Sequence, residues 1–185
     1  MTERAHELAA TAQVQIGELI ELLGTLDQAA LDRLCPGREK LGDGTIGAAA
    51  RHTADNYERI AAFVQTNDRV TAAHQPAAHG GHRVPGLLRA LGHGPRDHAP
   101  QGHDADQHDG GYTADNIDLD AVVTQLGASR DTLGRIAELT DSQLDRVPPK
   151  DSFRFCDGQR TLEQVLAGLL KHQAHQLQAL SAALA

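Results

Sequence analysis

The stretch Thr161–Ala183, TLEQVLAGLLKHQAHQLQALSAA, decides the fold. Leu162, Val165, Leu166, Leu169, Leu170, Leu177 and Leu180 recur three and four residues apart, the spacing that stacks side chains on one face of an α-helix. Each residue advances about 100° around the axis, so the polar members of the stretch can be placed as well. Gln173 and Gln176 fall near the centre of the apolar face. His172 falls at its edge, and His175 lies further toward solvent on the same side.

Working outward, the same period predicts three more long helices. Residues 3–23 form the first, with Thr2 as cap and Leu8, Ile16, Leu19, Ile20 and Leu23 on one face. A short helical stretch over 26–34 is stopped by Cys35-Pro36-Gly37. Thr45 caps the second long helix, 45–66, where Ile46, Ala49, Ala50, Thr53, Tyr57, Ile60, Ala61 and Val64 trace the buried stripe. His52 sits at the edge of that stripe, near Ala49, Asn56 and Phe63. The third long helix, 117–139, is capped by Asp118 or Asp120 and buries Leu119, Val122, Val123, Leu126, Leu133 and Ile136. Pro148-Pro149 and an Asp157-Gly158 turn separate it from the fourth, 161–183.

Residues 72–111 have a different character. They hold seven of the eleven histidines, eight of the eighteen glycines and four of the seven prolines. Such a composition predicts a long solvated loop, with at most a turn or two of helix over Val84–Leu91. The halves on either side echo one another. Leu31-Asp32-Arg33, Pro36, Asp43-Gly44 and Thr45-Ile46 in the first correspond to Leu144-Asp145-Arg146, Pro149, Asp157-Gly158 and Thr161-Leu162 in the second. The expected architecture is therefore all-α: one domain, 1–185, built as a four-helix bundle of two helix–linker–helix halves around a pseudo-twofold axis. The His-rich loop is inserted between the second and third long helices.

Composition limits the function classes. There is no Trp, with two Tyr and three Phe, a palette that favours helices over large sheets. The formal charge of −8 argues against a nucleic-acid partner and against an anionic membrane surface. No segment approaches the length of a membrane span, and the charged N-terminal residues lack the apolar core of a signal peptide, so a cytoplasmic protein is expected. Cys35 and Cys156 are too few and too far apart for a disulfide framework and read as reduced thiols, with a reactive or ligating role open to Cys156.

Chemistry centres on the histidines. A polar side chain on a core-facing stripe is costly unless its hydrogen bonds or coordination are satisfied. Imidazoles at the rims of two facing helices can meet that cost by holding a metal ion, since neutral imidazole is a common ligand for Zn, Ni, Cu and Fe. Three protein ligands with one open position is the catalytic pattern. The alternative is a set of half-buried histidines that bind nothing. Asp55 can orient a ligand imidazole or simply face solvent, as Glu58 does. The seven loop imidazoles, with Asp97, Asp104, Asp106 and Asp109, can bind transition metals loosely or serve as a hydrophilic spacer.

These residues resemble the DinB-like bundle superfamily. The resemblance rests on Thr45-Ile46 leading into a helix with His52, on Asp157-Gly158 and Thr161-Leu162 leading into a helix with His172-Gln173-Ala174-His175, and on the Leu139–Arg146 stretch. It covers the chain outside 72–111. It implies a four-helix bundle holding a divalent metal, Zn or Ni, through three histidines, one from the second helix and two from the last, four residues apart. His52 would take the first position and His172 the second. The third would fall on Gln176, a departure from the pattern, with His175 as the neighbouring substitute, so the expected set is His52, His172 and His175.

The resemblance implies a metal-dependent thiol transferase or hydrolase acting on a small-molecule substrate or a low-molecular-weight thiol, or a stress-response protein. The 72–111 loop would then cover the site. Two other readings stay open: non-catalytic transition-metal buffering by the bundle and its loop, and a metal-free helical module that dimerises, as a homodimer, or takes a small apolar ligand.

Overall fold

A computed structural model describes residues 2–73, 112–114 and 117–185, the side chains of 68–73 excepted. The chain is all-α. Its helices are α1 (Glu3–Leu23), α2 (Gln28–Leu31), α3 (Ile46–Ala73), α4 (Leu119–Gly134), α5 (Asp141–Leu144) and α6 (Leu162–Leu184). Among the described residues there is no strand, only an isolated antiparallel bridge between Leu34 and Thr45. None of their helices is long and apolar enough to cross a membrane. The expected His-rich loop lies outside the described residues from 74 to 111, and Val84–Leu91 with it.

The helix starts follow their capping chemistry, in which a short side-chain oxygen accepts one of the unpaired amides of the first turn. Thr2 accepts from the Ala5 amide, Thr45 from Ala48 and Asp118 from Ala121. Thr161 and Gln164 cap each other's backbone amides reciprocally, and Thr140 with Gln143 does the same for α5. Three elements differ from the sequence expectation: the short helix expected over 26–34 spans only Gln28–Leu31. α3 runs on past residue 66 to Ala73, and the third long helix stops at Gly134, where it tightens into a 3-10 turn, Arg135–Glu138.

Packing follows the predicted stripes. α1 lies against α4 and α6, and α3 lies against the same two, so α1 and α3 face each other across the core. Ile16, Leu19, Tyr57, Leu126, Leu133, Leu166 and Leu180 are fully buried there. Removing one such Leu, Ile or Tyr from water is worth about 1.5–3 kcal/mol. The Tyr57 hydroxyl, deep between the helices, donates to Gln15 Oε1 at 3.1 Å. Arg4 ties the start of the chain to its last quarter: it donates to Glu163 on α6 at 2.9 Å, to Asp145 at 2.8 Å and to Asp141 at 3.3 Å.

The echo between the halves has a counterpart in hydrogen bonds. Leu31 and Leu144 are buried at the ends of the short helices, and Asp32 and Asp145 follow as their C-caps. The next carbonyl, Arg33 or Arg146, accepts from the first amide of the following long helix, Ile46 at 2.8 Å or Leu162 at 2.6 Å. Each half thus latches its short helix onto the N-terminal turn of the long helix that carries histidine.

The linker between α2 and α3 holds residues 112–114 in place. Gly42 has φ +56, and a Cβ there would run into the Tyr112 carbonyl. That carbonyl accepts from the Asp43 amide at 3.0 Å. Asp43 in turn accepts from the Ala114 amide at 2.9 Å and from the Thr45 amide and hydroxyl at 3.0 and 2.6 Å. Burial pushes the Asp43 carboxyl up, but these hydrogen bonds together outweigh it and hold the group below its ordinary value of 3.8.

Two outcomes are expected. Gly42→Ala, which meets both a left-handed backbone and a carbonyl, should cost about 1–3 kcal/mol in urea unfolding. A depressed folded-state pKa means that the Asp43 contribution is complete above the ordinary carboxylate range and is lost as pH falls through the folded value. Asp43→Asn should therefore flatten the fall in stability below about pH 4, measured as urea midpoints against pH.

Candidate functional site

His52 stands in the second turn of α3 and His172 at the middle of α6. One buried hydrogen bond fixes how these helices meet. Gln173, 1% exposed, donates from Nε2 to the carbonyl of Thr53 at 3.1 Å. Gln173 follows His172 and Thr53 follows His52, so this bond sets the register that brings the two imidazoles to one place. The other amide atom, Gln173 Oε1, is buried without a hydrogen-bond partner.

Both imidazoles line a single pocket of about 470 Å³. Gln176 lines it too, together with Arg38, Glu39, Lys40 and Leu41 of the α2–α3 linker and Arg154 of the α5–α6 linker. His175, the expected third ligand, is exposed and does not line this pocket. Gln176, four residues after His172 and 5% exposed, does. Helical geometry accounts for the difference: at 100° per residue, position 176 lies closer to the facing side than position 175.

Each imidazole has an amide beside it. Asn56 Nδ2 lies 2.9 Å from His52 Nε2, and Gln176 Nε2 lies 3.1 Å from His172 Nε2. Each amide can donate to the neighbouring ring nitrogen when that nitrogen carries no proton. Burial pushes the His172 pKa down, and the positive charges of Arg154 and Arg38 push it further. Neutral imidazole is the form that ligates a cation or accepts a proton.

Aromatic neighbours hold the rings from outside. Tyr112 meets His52 edge to face, with centroids 6.0 Å apart, and its hydroxyl donates to Asp55 Oδ2 at 2.7 Å. Asp55 also accepts from Gln125 at 3.0 Å and pairs with Arg51 at 3.0 Å, so it orients Tyr112 rather than either imidazole. Burial, then the hydrogen bond to Asp55, pushes the Tyr112 phenol up to about 12, and it stays protonated at neutral pH. Phe155 meets His172 edge to face at 6.4 Å. Its φ of 69 is rare for a bulky residue and costs about 1–3 kcal/mol, strain that the packing of the α5–α6 linker sustains.

As a metal site the donor set is two imidazoles and one amide. Among the described residues no three His, Cys, Asp or Glu side chains gather as a metal would require. Cys35 and Cys156 are buried free thiols, the first pushed to higher pKa by burial, and neither lines the pocket. The imidazole pair and Gln176 are the lining groups that could ligate a divalent ion, through ring nitrogens and an amide oxygen. Their net charge contribution is zero, so such an ion would keep its full charge and attract an anion into its open positions.

Arg38, Lys40 and Arg154 were not singled out by sequence patterning. They lie on linkers, where no helical period marks which way a side chain turns. Gln176 carried a signal, a polar residue at the centre of an apolar stripe. Gln173→Ala should lower stability by about 2–4 kcal/mol in urea unfolding, through the lost hydrogen bond and the cavity left in the core.

No family model, no curated protein and no solved structure matches the chain.

Proposed function

We propose that the chain is a DinB-like four-helix bundle that binds one divalent transition-metal ion, Zn or Ni, and serves a metal-dependent reaction of the thiol-transfer or hydrolytic kind. The observation that carries this reading is that His52 and His172, 120 positions apart in the sequence, line the same pocket together with Gln176. His52 and His172 would supply nitrogen ligands, and Gln176 would supply its amide oxygen in the third position. A bound divalent ion supplies Lewis acidity, which lowers the pKa of a thiol or water at its open position.

The remaining residues have supporting tasks. Asn56, beside the His52 Nε2, would give up its hydrogen bond there when that nitrogen ligates, and the Tyr112 and Phe155 rings pack edge-on against the two imidazoles. Buried Gln173 keeps α3 and α6 in register. Neutral His172, beside two guanidinium groups, is available for ligation at neutral pH.

Zinc titration of chelator-stripped protein by calorimetry tests the reading. One site is expected in the wild type, weakened at least ten-fold by His52→Ala and by His172→Ala, weakened less by Gln176→Ala, and unchanged by His175→Ala. Equal zinc affinity in wild type and His52→Ala would overturn it. So would a set of weak sites that disappears when 74–111 is deleted, the outcome that metal buffering requires.

A further inference from the structure

Three cations rim the histidine pocket: Arg38, half-buried, with Lys40 and Arg154, both exposed. Arg4, Arg51, Arg135 and Arg160 pair with carboxylates. Arg38, Lys40 and Arg154 form no ion pair among the described residues. The one carboxylate in the lining, Glu39, is engaged locally, accepting from the Gly37 amide at 2.8 Å. In a chain of net charge −8, a concave patch with three unpaired cations and a single acid is a local reversal of sign.

The cations are also placed, not merely present. The Arg38 amide donates to the Cys35 carbonyl at 3.0 Å, closing a turn that turns the linker over the pocket. The Arg154 guanidinium lies 5.3 Å from the centroid of the Phe155 ring, and Phe155 in turn packs on His172. The left-handed backbone at Phe155 thus holds an aromatic ring between a cation and an imidazole.

We infer that this pocket binds a small molecule through a carboxylate or phosphate group held by Arg38 and Arg154, with Lys40 adding positive potential at the mouth. Guanidinium groups match the planar, two-oxygen geometry of both anions. The imidazoles of His52 and His172 and the Gln176 amide, which also line the pocket, offer hydrogen bonds to the rest of the molecule. The cavity has the size of a small-molecule site. A nucleic acid is disfavoured by the acidic remainder of the surface, which would repel a long polyanion. The inference does not depend on a metal, because the cations alone create the anion site.

The test is calorimetric titration of the full chain, chelator-stripped, with inorganic phosphate and separately with succinate at low ionic strength. Saturable binding of at least one anion is expected, weakened ten-fold or more in the Arg38→Gln/Arg154→Gln double variant and retained in Arg130→Gln, an exposed cation on α4. Phosphate binding alone identifies a phosphoryl ligand, succinate binding alone a carboxylate ligand, and either supports the site. No saturable binding of either anion, or equal binding in the double variant and the wild type, would overturn it. Circular dichroism of the double variant confirms that a loss is not unfolding. Failure of zinc binding with anion binding intact would remove the metal reading and leave this one standing.

Discussion

The buried hydrogen bond from Gln173 to the Thr53 carbonyl is the constraint on which the site depends. Two amphipathic helices with leucine-rich and alanine-rich faces can slide past one another by a turn at little cost in apolar area. A single polar group in that interface removes the freedom, since leaving the Gln173 amide unpaired in the core would cost about 1–3 kcal/mol. The register it selects brings the residues just before it, His172 and His52, to one pocket. The candidate site is assembled there: two imidazoles, two amides beside them, and two linkers that carry cations.

Two layers of the site have different physical origins. The inner layer is neutral and partly buried, and its members come from helices. The outer layer is charged, and its members come from linkers that the helix caps and turns hold in place. Arg38 and Arg154 lower the proton affinity of His172 from that outer layer. The same charges that keep the imidazole neutral also make the cavity attractive to anions, so a cation bound on the floor and an anion bound at the mouth would support each other.

The all-α class, the buried stripes and the caps were legible in the sequence because they are local. Thr45, Asp118 and Thr161 cap as their side-chain chemistry predicts, and Ile46, Tyr57, Leu126, Leu166 and Leu180 are buried where the helical period puts them. The edge positions of His52 and His172 followed from the same period. The period also put Gln176 nearer the centre of the apolar face than His175, and Gln176 is the residue that lines the pocket. The α5 helix was readable in principle from the Thr140-x-x-Gln143 capping box but is only four residues long. The cations could not be read, because their convergence is a tertiary event between segments more than a hundred residues apart.

The placement of α1 opposite α3, with α4 and α6 between them, makes the two halves depend on each other. Within the first half, α1 and α3 are linked by the Tyr57–Gln15 hydrogen bond, but most of their apolar stripes face α4 and α6. A chain cut between the halves would therefore leave each piece with long apolar stripes facing water, so neither is expected to hold its helices without the other.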